Sequence, residues 1–263
     1  MYLISAERIG FIMDEQKLER LKKRVGLIDE LRGLSIVLMV VYHTFFDLVY
    51  IFGLNIPIFN SGILNFLQQF FAGVFIVISG VACRYARSNL KRGAMCFGIG
   101  LLLTVGTLIF MPSELILFGI LHFLGVAMML YGLLHKVLDK LAPLPGMLLS
   151  AALFAVTYRV MSGYLLWFRL PEAIYNIKLL FPLGFPAPDF YSADYFPLLP
   201  WLFLFFAGAY LGVYFKENKM PAFCYKTHLR PLAFVGRHTL LVYVLHQPIV
   251  YGVLMLIFYL IRG

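Results

Sequence analysis

Seven long apolar runs occupy most of this sequence and constrain its fold more than any other feature. They lie at about 31–52, 64–83, 93–111, 115–135, 146–167, 197–215 and 236–261. Because about 20 apolar residues form a helix that crosses the hydrocarbon core of a bilayer, each run predicts one membrane-spanning helix. Only 13% of the 263 residues are charged, whereas soluble domains carry about a quarter. We therefore predict an all-α integral membrane protein, a single bundle of about seven transmembrane helices, and exclude a soluble globular enzyme.

The loops between these runs carry their positive charges unevenly. Lys and Arg cluster in segments 84–92, 136–145 and 216–235, whereas segment 53–63 has no charge and 112–114 has only Glu114. Because basic residues accumulate in cytoplasmic loops, this alternation predicts a cytoplasmic N-terminus and an external C-terminus. The same rule accounts for the net charge of +9, so we expect no nucleic-acid partner.

Residues 1–27 form a separate segment before the membrane domain of residues 28–263. In this segment Leu18 and Leu21 lie among the basic residues Lys17, Arg20, Lys22, Lys23 and Arg24. The pattern predicts a short amphipathic helix on the cytoplasmic membrane surface. A frayed tail is the alternative.

The first apolar run contains ionisable residues, which are costly in a membrane and often functional. Arg32 begins the run, His43 lies deep within it and Asp47 follows one turn later. On a helix, Arg32 and His43 share nearly one face and lie about 16 Å apart along the axis. The spacing favours an anion site at the cytoplasmic edge and proton transfer at mid-membrane, with Asp47 orienting the imidazole. The alternative is an Arg32–Asp29 ion pair and an interhelical hydrogen bond from His43.

Two further histidines, His122 and His246, reach a similar depth in the fourth and seventh runs. Three histidines at one depth could line one cavity, or each could make its own interhelical hydrogen bond. They show no metal-ligand spacing with each other or with Cys83, Cys96 and Cys224, so we expect no metal site.

The loop regions add two candidate contact surfaces. Cytoplasmic basic residues are either phosphate contacts or membrane anchors, and they comprise Arg84, Arg87, Lys91, Arg92, Arg230 and Arg237. The long loop 168–196 is rich in Pro and aromatic residues. It is either an ordered cap over the bundle or an interfacial aromatic belt. At the start of the second run, Asn65, Gln68 and Gln69 either contact a substrate or cap the helix.

Four segments resemble the heparan-α-glucosaminide N-acetyltransferase catalytic-domain family, in its short bacterial branch. They are Ile28 to Leu48, FGILHFLG at 118–125, GFPAPDFYSADYFPLLPW at 184–201 and GRHTLLVYVLHQP at 236–248. The resemblance extends from about residue 24 to the C-terminus. An Arg followed by ten residues and a His also resembles the signature of the related membrane acyltransferase-3 proteins.

The resemblance implies acetyl transfer across the inner or plasma membrane, from cytoplasmic acetyl-CoA to an extracytoplasmic sugar or envelope glycan. His43 would act as general base or carry the acyl group, with Asp47 beside it. Substrate binding would fall to His122, Asp194, Tyr195, His246 and Gln247. Binding of acetyl-CoA would fall to Arg32, Arg84, Arg87, Arg92 and Arg237.

The resemblance leaves the acceptor and the class of function open. The longer lysosomal branch of the family has more spans and a lumenal domain, so its acceptor is not carried over to this chain. A transporter that uses mid-membrane His and Asp is the alternative, although the sequence shows no inverted repeat. A homo-oligomer is possible under either function.

The predicted orientation can be checked by cysteine labelling. A single cysteine in loop 168–196, in a variant without the three native cysteines, should react with a membrane-impermeant maleimide on intact cells. A cysteine in segment 84–92 should react only after permeabilisation. The reverse pattern would invert the orientation and exchange the sides assigned to the two substrates.

Overall fold

The computed structural model describes residues 25–262, and its architecture is a helical bundle. The predicted amphipathic helix at residues 17–24 lies outside the described residues. The helices are α1 (Gly26–Phe46), α2 (Gly62–Cys83), α3 (Asn89–Phe110), α4 (Ile120–Leu138), α5 (Pro143–Thr157), α6 (Glu172–Tyr175), α7 (Leu198–Lys216), α8 (Arg230–Arg237) and α9 (Thr239–Arg262). Within these residues, seven helices are long and apolar enough to cross a membrane. The predicted fold class is therefore confirmed.

Several of the predicted spans have different ends in the structure. The first span is longer, because α1 begins at Gly26 and continues through a π-helical turn at Asp47–Ile51. The fifth is shorter: α5 ends at Thr157, and a hairpin of β1 (Tyr164–Leu165) and β2 (Phe168–Arg169) follows. The last predicted run, 236–261, is divided at His238 between α8 and α9.

The helix pairs of the bundle approach each other through glycines. A Cβ atom on Gly236 of α8 would lie 1.8 Å from the Asp29 carbonyl oxygen of α1. A Cβ atom on Gly208 of α7 would lie 2.1 Å from the Val77 carbonyl oxygen of α2. Helices in membranes associate by close van der Waals packing rather than by a hydrophobic driving force. Small residues at the crossings allow this packing, because they let the two backbones approach closely.

The long loop, residues 168–196, is ordered against the bundle. Its end pairs with the segment before α4, since the Ala193 amide donates to the Leu115 carbonyl and the Phe196 amide donates to the Phe118 carbonyl. Tyr195 is turned into the loop, where its hydroxyl donates to the Phe181 carbonyl at 2.6 Å. This packing favours the cap interpretation over a simple aromatic belt and fixes residues 192–196 at the start of α4.

The glycine crossing between α2 and α7 can be tested with one methyl group. Gly208→Ala places that methyl against the backbone of α2, and such overpacking costs about 1–3 kcal/mol. The melting temperature in detergent should fall by about 3–10 °C. Gly106→Ala is the matched control, because its Cβ would meet nothing within 4 Å. The control should keep or raise the melting temperature; equal losses in both variants would contradict this account of the crossing.

Candidate functional site

A cavity of about 190 Å³ lies beside α1, between α1 and α2. Asp194 and Phe196 of the long loop, Ile120 of α4 and Tyr243 of α9 complete its wall. Most of the wall is apolar, and its polar side chains are Ser35, Tyr42, His43, Gln68, Asp194 and Tyr243. The cavity therefore brings groups from the first span, the long loop and the last span to one place.

His43 lies on this wall and is paired with His246 of α9. The two rings meet edge to face, with centroids 5.0 Å apart. The Nδ1 atom of His246 lies 2.6 Å from the Tyr243 carbonyl oxygen. A carbonyl only accepts, so His246 carries its proton on Nδ1. Its buried Nε2 has no hydrogen-bond partner within residues 25–262, which leaves a proton acceptor beside His43.

Asp47 is joined to this pair through Gln247. The Asp47 side chain is fully buried, and its Oδ1 accepts a 2.7 Å hydrogen bond from the Gln247 amide nitrogen. Gln247 directly follows His246 in α9. The i+4 spacing in the sequence predicted that Asp47 orients His43, whereas in the structure the Asp47 carboxylate binds Gln247. The π-helical turn that begins at Asp47 alters the regular helical spacing here.

Asp194 is the acidic group on the cavity wall. Its Oδ2 accepts hydrogen bonds from the Ile120 amide at 2.9 Å and from the Tyr243 hydroxyl at 3.0 Å. Gly119 permits this approach, since a Cβ there would lie 2.3 Å from Oδ2. Burial raises the pKa of the Asp194 carboxyl, and the hydrogen bonds from Ile120 and Tyr243 oppose that rise. The position at the first amide of α4 also favours a negative charge.

His122 lies apart from the cavity wall and is held by other groups. The Thr104 hydroxyl donates to the Ile116 carbonyl at 2.8 Å and lies 3.3 Å from His122 Nε2. Since that hydroxyl proton is committed, Nε2 carries the proton of the imidazole and donates it to Thr104. Phe118 stacks on the ring at 6.0 Å. The structure therefore brings His43 and His246 together and places His122 in a separate interhelical contact.

Two arginines, Arg32 of α1 and Arg237 at the end of α8, share one carboxylate. Asp29 lies 3.7 Å from Arg32 and 3.3 Å from Arg237. The neighbouring Glu30 accepts hydrogen bonds from the amides of His228 and Leu229, just before α8 begins. The Arg32–Asp29 pair was the alternative that the sequence left open for Arg32. In the structure Asp29 also pairs with Arg237, so two guanidinium groups lie at this one carboxylate.

The basic segment 84–92 divides into one bound arginine and several exposed cations. Arg84 donates to the Ala209 carbonyl at 2.7 Å and to Asp139 at 2.6 Å, and it lies over the Tyr131 ring. Arg87 and Arg92 are exposed, and within the described part of the chain no ion pair engages them. Arg84 thus orders the segment, while Arg87 and Arg92 remain accessible to an anion.

Two polar groups at the site, Tyr243 and Ser35, were not predicted from the sequence, whereas a third, Gln68, was. Tyr243 lies three residues before His246, so helical spacing alone puts both on one face. Ser35 lies one turn after Arg32, and its buried hydroxyl has no hydrogen-bond partner within residues 25–262. Gln68 lines the cavity, while Ser61 caps α2 by accepting from the Leu64 amide. The sequence left helix capping and substrate contact open for Asn65, Gln68 and Gln69. In the structure Ser61 caps the helix, and substrate contact by Gln68 stays a prediction.

Glu114 is the remaining carboxylate near the site. One of its oxygens is buried with no partner in the described residues. Burial raises the pKa of Glu114, and the negative charge of Asp47 raises it further. Among residues 25–262, no group of three or more His, Cys, Asp or Glu side chains is arranged to hold a metal ion.

The sequence model for the catalytic region of heparan-alpha-glucosaminide N-acetyltransferase matches residues 24–248, which is most of the chain. The chain belongs to this family. The match includes all four segments that carried the resemblance. Searches of curated proteins and of solved structures find no match. Family membership, together with seven apolar helices, indicates a multi-pass membrane transferase of the acetyltransferase type.

Proposed function

We propose that this protein transfers an acetyl group from cytoplasmic acetyl-CoA to an extracytoplasmic sugar or envelope glycan. The observation that carries the proposal is the cavity that joins the polar groups of three chain segments around His43. Family membership supports the reaction type. We place the N-terminus in the cytoplasm and the protein in the inner or plasma membrane, on the charge pattern of the loops.

In the proposed reaction, His43 is the general base. It takes the proton from an acceptor hydroxyl or amine as that oxygen or nitrogen attacks the thioester carbonyl. The carbon–sulfur bond breaks, and His43 returns the proton to the leaving coenzyme A thiolate. The products are an acetyl ester or amide and free coenzyme A, so atoms and charges balance without another reactant.

The surrounding groups position His43 and stabilise its protonated form. His246 presents an unpaired Nε2 beside the ring, and Asp47 acts through the Gln247 amide. Asp194 and Tyr243 lie on the same cavity wall. Their oxygens offer hydrogen-bond partners to the hydroxyls of a bound acceptor. His122 and Tyr195 do not line the cavity and hydrogen-bond instead to Thr104 and to the Phe181 carbonyl.

The donor site is proposed at the cytoplasmic end of α1. Arg32 and Arg237 share Asp29 there, and the exposed Arg87 and Arg92 supply further positive charge. Guanidinium groups bind phosphate through paired, charge-assisted hydrogen bonds. The unpaired Ser35 hydroxyl lies on the cavity wall one turn further along α1. It can hydrogen-bond an amide of the pantetheine arm as the thioester extends toward His43.

The donor site is tested by measuring acetyl-CoA binding. Arg32→Ala and Arg87→Ala should each weaken binding by about ten- to a hundred-fold, because one charge-assisted hydrogen bond contributes about 1.5–3 kcal/mol. Arg169→Ala is the control, since Arg169 is an exposed arginine of the long loop paired with Glu172. Calorimetry on folded variants gives the affinities. Unchanged binding in Arg32→Ala and Arg87→Ala would remove these residues from the donor site.

The role of His43 is tested by His43→Gln, which keeps hydrogen-bonding capacity but cannot titrate. Acetyl transfer to a panel of amino sugars and envelope glycans should fall by a factor of about 100 or more, with little change in melting temperature. Thr44→Val is the matched control, because the Thr44 hydroxyl donates only to the Val40 carbonyl within α1.

Two outcomes would change the assignment. Near-normal turnover by His43→Gln would exclude His43 as the base and direct attention to His246. Radiolabel retained on the wild-type protein after incubation with donor alone, and lost in His43→Gln, would show that His43 carries the acetyl group covalently instead.

A further inference from the structure

The cavity at His43 extends around α1 to the membrane-facing surface of the bundle. Its wall includes Val41 and Phe45, which are 45% and 39% exposed. Val37, Val41 and Phe45 follow each other at intervals of four residues, so they form one stripe along α1. This stripe lies within the span Gly26–Ile51, and its exposed side chains therefore face lipid.

The helical positions of the other α1 residues show where the cavity leads. At 100° per residue, Leu38 and Tyr42 lie about 60–100° around α1 from Val41, and His43 lies about 200° around it. All of them line the same cavity. The cavity thus follows roughly half the circumference of α1, from the lipid-facing stripe to His43.

On α2, the cavity wall also runs from an exposed side chain to less exposed ones. Leu67 is 40% exposed and lines the cavity near the membrane side. Phe71, Ala72 and Phe75 continue the apolar wall inward. We call the opening between Val41, Phe45 and Leu67 the lateral portal. From the portal inward, the lining is mostly apolar, with Tyr42 and Gln68 as its polar side chains, until it reaches His43, Asp194 and Tyr243.

This division fits an amphipathic occupant. Sugar hydroxyls placed along the apolar stretch would lose their hydrogen bonds to water without replacement, which costs several kcal/mol for each group. An alkyl chain suits the same stretch because it has no polar groups to satisfy. The polar end of the occupant would then lie at His43 and Asp194, where hydrogen-bond partners exist.

We propose that the acetyl acceptor is membrane-anchored, with a lipid tail that lies in the lateral portal and a sugar headgroup that reaches His43. This inference rests on the proposed function and names the acceptor class for the same site. It assigns Val41, Phe45 and Leu67 to tail binding and distinguishes the substrate from a freely soluble glycan.

The acceptor class is tested with two glycosides that differ only in the tail. The purified protein in lipid nanodiscs receives radiolabelled acetyl-CoA and either hexadecyl or methyl β-D-glucosaminide, which both present an amine and hydroxyls. We expect kcat/KM for the hexadecyl acceptor to be at least ten-fold higher. Equal or better use of the methyl acceptor would overturn the lipid-tail inference while leaving acetyl transfer established.

The portal itself is tested by filling it. Val41→Trp should lower kcat/KM for the hexadecyl acceptor about ten-fold, mainly through KM, and leave the methyl acceptor within two-fold. Leu102→Trp is the control, because Leu102 is a 70% exposed residue of α3 away from the cavity. An equal loss for both acceptors in Val41→Trp, or no loss for either, would contradict the portal.

A photo-crosslinking measurement keeps the test independent of turnover. A hexadecyl glucosaminide with a diazirine in the tail should label residues 37–45 and 64–75, and Val41→Trp should reduce that labelling several-fold. Labelling elsewhere on the bundle, or labelling unchanged in Val41→Trp, would overturn the inference. Portal labelling without acetylation of either glycoside would instead count against the proposed function.

Discussion

The Asp194 carboxylate joins three parts of the chain that are far apart in sequence. One oxygen binds the first amide of α4 and the Tyr243 hydroxyl of α9, while Asp194 itself belongs to the long loop. Burying a carboxylate costs free energy unless hydrogen bonds satisfy it. The hydrogen bonds that satisfy Asp194 come from α4 and α9, so they hold these two helices and the long loop together. The cavity exists because α1 and α2 lie beside this junction without filling it.

The other end of the bundle is fixed by a comparable arrangement. Asp29 holds Arg32 and Arg237, and Glu30 binds the amides that precede α8. The backbones of α1 and α8 also touch at Gly236. The start of α1 is therefore anchored by ion pairs and hydrogen bonds, whereas its middle borders the cavity. Under the proposed function, this difference would let one helix carry the donor site and the reaction site on a single rigid element, as precise catalytic geometry requires.

Sequence patterns predicted the features that depend on local spacing. The seven spans follow from hydropathy, and the proposed roles of His43 and Asp47 rest on their depth in an apolar run. Contacts between distant segments could not be predicted, because helical spacing does not show which helices are neighbours. The Asp47–Gln247 bond spans 200 residues, and the separation of α8 from α9 depends on how α8 packs against α1. The partners of Arg84 could not be predicted either, since Ala209 lies on α7 and Asp139 lies directly after the end of α4.

The apolar character of the cavity gives a physical reason for transfer near the middle of the membrane. In the proposed reaction, coenzyme A is too highly charged to enter lipid, so we expect its phosphates to stay with Arg32 and Arg237 near the start of α1. The acetyl thioester is small and uncharged and can enter an apolar cavity at little cost. A proton acceptor at this depth can then activate a nucleophile with little competition from water, which would hydrolyse the thioester. On this view the apolar lining confines the reaction to the acceptor, and the few polar groups around His43 are limited to those that the transfer itself requires.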